Sequence, residues 1–103
     1  MLFDTIHRET GLNLYFRIKD WNTKKVWNRA EGEWQDSPSW ENSVVAITET
    51  PASSGDYPIE LKDALTGSGW LNVIVYKRAG DNPLNSDEIV YGISRPYGSI
   101  FGF

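Results

Sequence analysis

From Leu12 to Lys19 apolar and polar residues alternate. Leu12, Leu14, Phe16 and Ile18 take one parity, and Asn13, Tyr15, Arg17 and Lys19 take the other. Period two over eight residues predicts a strand with one buried face. Asp20-Trp21-Asn22-Thr23 supplies turn-forming side chains, and Lys24–Asn28 reads as a short return strand, so residues 12–28 form a predicted hairpin. Residues 29–42 are polar and contain Gly32 and Pro38, a long connection in which Trp34 and Trp40 are the natural anchors. Ser43–Glu49 is a short β-branched run of the kind buried on both faces. Thr50–Gly55 is a turn by composition, and Asp56–Leu61 is an edge strand because Pro58 has no N–H for a central ladder.

After a predicted tight turn at Thr66–Gly69, Trp70–Lys77 is the strongest strand of the chain. Ala79–Asp87 is a loop rich in Gly, Asn, Asp and Pro, and Glu88–Ser94 returns as a strand. Only residues 60–66 have the pattern of a helical turn. Six to seven short strands punctuated in this way predict an all-β fold, an antiparallel β-sandwich, as one domain over residues 1–103. Leu2, Phe3 and Ile6 at one end, with Tyr97, Ile100, Phe101 and Phe103 at the other, make both ends apolar. They predict ordered terminal arms at 1–10 and 95–103, tied down by their own domain or by a neighbour.

A chain of 103 residues without cysteine has neither disulfides nor thiolate chemistry, and is long enough to fold on its own core. Ten basic and fourteen acidic residues give a net charge of −4, spread evenly along the chain. Lys24, Lys25 and Arg29 are the one local basic cluster, and Glu31, Glu33 and Asp36 follow it. Direct binding of nucleic acid, which depends on a basic stripe, is therefore not expected. No apolar run approaches the ~20 residues of a membrane helix, and Met1–Asp4 has no signal-peptide pattern. The expectation is a protein made in cytoplasm, with no membrane partner.

Candidate chemistry is sparse. His7 is the lone histidine and reads as an ordinary surface or interface residue, since a triad or metal site needs it held among partners. Glu31, Glu33 and Asp36 lie in one polar segment, where a glycosidase pair needs a cleft between its carboxyls. Asp81, Asn82, Asn85, Asp87 and Glu88 offer oxygens for calcium, but Pro83 and the missing central glycine break the EF-hand spacing. Gly67 and Gly69 precede a strand where a phosphate loop would precede a helix. No enzyme activity, cofactor or metal is predicted. Trp21, Trp27, Trp34 and Trp40 are expected first as core residues, then as protein-interface anchors, and last as a sugar-stacking platform.

One run of residues is more distinctive. Val26-Trp27-Asn28 and Trp40 are followed by Ile47-Thr48-Glu49, Ser54-Gly55-Asp56-Tyr57, the strand Trp70–Tyr76, and Ala79-Gly80-Asp81-Asn82-Pro83 with Ser86-Asp87. This order resembles small β-sandwich proteins encoded among the structural genes of tailed phages and prophages, over roughly 65 of the residues. The chain departs from that pattern at Trp70-Leu71 and at Ser94–Gly98.

The resemblance implies a virion component made in the host cytoplasm: a capsid cement or decoration protein, or a tail, neck or fibre module. Its expected partners are the major capsid protein or other virion subunits, and the chain itself is expected as a monomer or as a homo-oligomer (trimer). The expected contacts are the apolar ends (Leu2, Phe3, Ile6, Tyr97, Ile100, Phe101 and Phe103) and exposed Trp34 and Trp40. A carbohydrate-binding module using Trp21, Trp34 or Trp40 is the reading from another class.

Overall fold

The structure, a computed structural model, describes residues 2–61, 65 and 69–96. Within them the chain forms eight strands. These are β1 (Leu2–His7), β2 (Leu14–Asp20), β3 (Val26–Asn28), β4 (Glu33–Gln35), β5 (Val45–Ile47), β6 (Asp56–Glu60), β7 (Trp70–Lys77) and β8 (Glu88–Pro96). One 3-10 turn, Glu41–Ser43, precedes β5. All strand pairs are antiparallel. A six-stranded sheet runs β4-β3-β2-β7-β8, with β5 also paired to β2, and a two-stranded sheet is made of β1 and β6. The two sheets share one core, so the fold is a small β-sandwich.

The alternation in β2 has the predicted consequence. Phe16 and Ile18 face the core opposite Val75 and Val73 of β7, and Leu71 continues the same face. Phe16, Leu71, Val73 and Val75 are almost wholly buried, each contributing about 1.5–3 kcal/mol through lost contact with water. The opposing layer comes from Phe3 and Ile6 of β1 with Tyr57 and Ile59 of β6. Trp27 closes the core at the β3 end, and Trp34 packs edge-on against it at 5.2 Å between ring centroids.

The edge of β2 is divided between two partners. Lys19 pairs with Val26 of β3, whereas Leu14, Tyr15 and Phe16 pair with Ile47, Ala46 and Val45 of β5. The hairpin between β2 and β3 is closed by Asp20, whose carboxylate accepts the N–H groups of Asn22 and Thr23 at 2.9 and 3.0 Å. Asn28 organises the next hairpin: its side-chain oxygen accepts the Glu31 N–H, and its amide donates to Gln35.

Tyr57, completely buried, holds the connection from β1 to β2. Its hydroxyl donates to the Glu9 carbonyl at 2.7 Å and accepts the Leu12 N–H at 3.0 Å. Beside it, Glu49 accepts the N–H groups of Gly11 and Gly55. Gly55 has φ +79°, and a Cβ there would lie 2.4 Å from the Arg8 carbonyl oxygen. The Ser-Gly-x-Tyr segment thus joins the small sheet to the 8–13 connection.

Several expectations are corrected. Residues 2–7, read as part of an arm, are a strand, and Phe3 and Ile6 are only 6% and 3% exposed. The two-stranded sheet needs an apolar layer to meet the large sheet, and these side chains supply it. The Ser43–Glu49 run is also less buried than its β-branched composition suggested. Only Val45–Ile47 is strand, and Ala46 points to solvent because it shares the outward face of its rung partner Tyr15. Residues 33–35, read as connection, form β4. Beyond the described residues lie most of the 60–66 helical turn, most of the 66–69 turn, and 97–103.

Candidate functional site

The outer face of the large sheet divides into a covered half and an open half. At the covered half, Tyr15 of β2 and Tyr76 of β7 sit on neighbouring strands, with rings stacked at 5.3 Å and 16°. Their parity points them away from the main core, yet they are only 3% and 5% exposed. The chain between β4 and β5 folds over them. Trp40 sets its ring edge-on to Tyr76 at 5.2 Å and donates its indole N–H to the Tyr15 hydroxyl at 3.0 Å. The Arg17 guanidinium lies 3.8 Å from the centre of the Trp40 ring, and its Nε donates to Ser43 at 2.8 Å. Ser43 in turn donates to the Trp40 carbonyl.

The loop from 79 to 87 joins this cluster through Asp87. Its carboxylate accepts the Tyr15 hydroxyl at 2.7 Å, the Leu84 N–H at 2.9 Å and the Ala79 N–H at 3.3 Å. The Leu84 N–H and the Tyr15 hydroxyl hold the Asp87 carboxyl below the usual carboxylate range. Burial, reinforced by the bond to Asp87, pushes the Tyr15 phenol well above its ordinary value. The distinctive Ala-Gly…Ser-Asp loop is therefore a structural cap on the sheet, and the Asp87 oxygens are occupied by the protein's own donors.

The open half lies at the other end of β2 and β7. Trp21 continues the ladder one residue past β2, its N–H donating to the Trp70 carbonyl at 2.9 Å. Trp70 opens β7 and pairs with Pro96 on β8. Both indoles share the outward parity of Arg17 and Lys19, so the row Trp21–Trp70–Pro96 crosses three adjacent strands. Trp21 and Trp70 are 50% and 47% exposed. The Lys24 ammonium stacks on Trp21 at 3.6 Å, and Lys19, Asn72 and Ser94 form the next row inward. This is a flat apolar patch with a basic rim. Singly exposed apolar residues are ordinary; two neighbouring indoles left half in water make a larger contiguous apolar patch.

The sequence-predicted contact residues are dispersed. Phe3 and Ile6 are in the core, Trp34 packs against it, and Trp40 is half-buried on the outer-face cluster. The side chain of Leu2 and residues Tyr97, Ile100, Phe101 and Phe103 lie outside the described residues. Trp21, one of the ambiguous tryptophans, proves exposed. Trp70 was read only as the start of a strand, although its parity, opposite to that of Leu71, Val73 and Val75, marks it as outward.

Other polar clusters have local roles. Glu31 and Glu33 both accept from the Gln35 amide on one hairpin, and His7 meets Asp56 across an exposed rung at 2.6 Å. Among the described residues no three acidic or histidine side chains converge as metal ligands. A depression of about 450 Å³, lined by Arg29, Ala30, Glu41, Asn42 and Val44, is shallow and open and brings together no nucleophile and base. Compared with protein-family models, curated proteins and solved structures, the chain matches none.

Proposed function

We propose that this chain is a non-catalytic structural protein of a phage virion, a capsid cement or decoration protein that holds neighbouring subunits through the open half of its outer sheet face. The observation that supports binding is the exposed Trp21–Trp70 pair on a rigid ladder, while Trp27, Trp34 and Trp40 are engaged in the protein's own packing. The virion assignment is supported by the resemblance of the motifs described above. Because Lys19 and Lys24 rim the patch in a chain of net charge −4, the surface it fits is apolar with acidic neighbours.

Quantitative mass spectrometry of purified virions of the encoding phage tests the assignment. A copy number near that of the major capsid protein is expected; a few copies would move the protein to the tail, neck or fibre, and absence from virions would overturn the reading. The Trp21→Ala/Trp70→Ala variant is expected to fold normally and to load onto protein-depleted capsids at least tenfold less well.

The side-by-side indoles also favour a second reading, a platform for sugar rings, with Asn72 and Ser94 as hydrogen-bonding neighbours. Quenching of tryptophan fluorescence by oligosaccharides, lost in the same variant, is its test; no response across a glycan array removes it.

A further inference from the structure

Among the described residues the longest strand lies at the edge of the large sheet. Strand β8 runs for nine residues, pairs with β7 on one side, and has no strand on its other side among the described residues. Since the Trp21 N–H bonds to the Trp70 carbonyl, the backbone groups of Trp70 point towards β2 and those of Leu71, Val73 and Val75 towards β8. Their rung partners on β8 are Arg95, Ile93 and Tyr91. The backbone groups of Gly92 and Ser94 therefore point outward, away from the sheet. Gly92 and Ser94 are exposed, and a Cβ added at Gly92 would meet nothing within 4 Å.

Natural edges are blunted against pairing by charge, proline or a bulge. Here the blunting is confined to the two ends of the exposed stretch. A bulge interrupts the register beside Val90. There the Arg8 guanidinium, also bonded to the His7 carbonyl, donates to the Val90 carbonyl at 3.0 Å. Pro96 at the other end has no N–H to offer.

We propose that β8 pairs antiparallel with β8 of a second copy, about a two-fold axis at Ile93, making one continuous sheet. In that register Gly92 faces Ser94 of the second copy and the two exchange both backbone bonds, about four in all. Val90 falls opposite Pro96 of the second copy, so the carbonyl already taken by Arg8 meets the one residue unable to donate to it. Moving the axis to Gly92 would set the Ser94 N–H against that occupied carbonyl, and moving it to Ser94 would set the Gly92 carbonyl against Pro96.

Charge agrees with the same register. Arg95 of the second copy opposes Tyr91, whose hydroxyl donates to Asp4 at 2.8 Å. Asp4 meets its own Arg95 only at 3.8 Å, and the Arg95 Nε has no hydrogen-bond partner. Asp4 is thus placed to draw the guanidinium of the other copy.

Sedimentation equilibrium of the full chain is expected to show a reversible monomer–dimer equilibrium. Gly92→Lys, which adds a charge beside the axis where a side chain has room, is expected to weaken the dimer tenfold or more with unchanged far-UV circular dichroism. Oxidative cross-linking reads the register, because the chain has no cysteine of its own. Opposed residues of a non-hydrogen-bonded pair lie about 4.5 Å apart at Cα, within disulfide reach. Ile93→Cys is expected to cross-link fastest, ahead of Gly92→Cys and of Thr48→Cys away from the edge. A chain that stays monomeric at millimolar concentration, or cross-linking no faster at 93 than at 92 or 48, would overturn the pairing.

Discussion

Replacing Tyr15 by Phe removes one oxygen atom and leaves the stacked ring on Tyr76 in place. That oxygen donates its single hydrogen to Asp87 and accepts the Trp40 indole N–H. It therefore joins β2, the loop before β8 and the connection before β5. Tyr15 is only 3% exposed, so water does not readily replace the lost partner. Loss of a buried, doubly bonded hydroxyl costs about 1–3 kcal/mol, towards the upper end when a neighbouring N–H is left unsatisfied. We take about 2 kcal/mol. For a domain of this size urea m-values are about 1–1.5 kcal/mol/M, which puts the expected fall in midpoint at about 1.3–2 M. The same loss lowers Tm by about 8–16 °C.

Urea titration followed in parallel by tryptophan fluorescence and far-UV circular dichroism measures the effect. Tyr76→Phe is the matched control: its ring is equally buried, but its hydroxyl makes no hydrogen bond to a described residue. It is expected to change stability by less than about 0.5 kcal/mol. If Tyr15→Phe is as mild as Tyr76→Phe, the Tyr15 hydroxyl does not hold the covering chain on the sheet.

Three further outcomes follow from the geometry. Phe3→Ala removes a core ring and is expected to cost about 3–5 kcal/mol in urea unfolding; a loss under about 1 kcal/mol would restore the N-terminal segment to the status of an arm. Gly55→Ala combines a left-handed φ with a clash against the Arg8 carbonyl, and a Tm drop equivalent to at least about 2 kcal/mol is expected, whereas an unchanged Tm would contradict the close approach of the two segments.

Asp87 titrates below the usual carboxylate range in the folded protein. Its contribution to stability is therefore full above the ordinary value near pH 4 and is lost as pH falls through the lowered one, because the unfolded chain binds the proton more readily in that window. Asp87→Asn is expected to flatten this part of the acid limb in a stability–pH series; a variant profile running parallel to the wild type would remove Asp87 as its cause.

The strands that proved legible from sequence are those whose own alternation decides which face is buried. In β2 and β7 the apolar parity of Phe16, Ile18, Leu71, Val73 and Val75 leaves no second register that keeps them dry. Turn chemistry was equally local: Asp20 caps its turn with its own side chain, and the Ala79–Asp87 loop closes on Asp87. The same parity rule also marks Trp70 as outward.

What alternation does not encode is which surface comes to cover a given face. Phe3 and Ile6 look alike as a loose apolar end and as a core strand, and only the pairing of β1 with β6, some fifty residues away, separates the two. Tyr15, Trp40 and Tyr76 sit on strands or connections whose outward parity predicts exposure, yet the chain folds back over them and makes a second buried cluster. Trp21 and Trp70, of the same residue type and parity, remain in solvent because no described segment crosses that end of the sheet. Strand faces, turns and the all-β class are legible in the chain because they arise from neighbours within a few residues. Tertiary structure decided which aromatics are buried and which edge is open, since both depend on contacts between segments far apart in the chain.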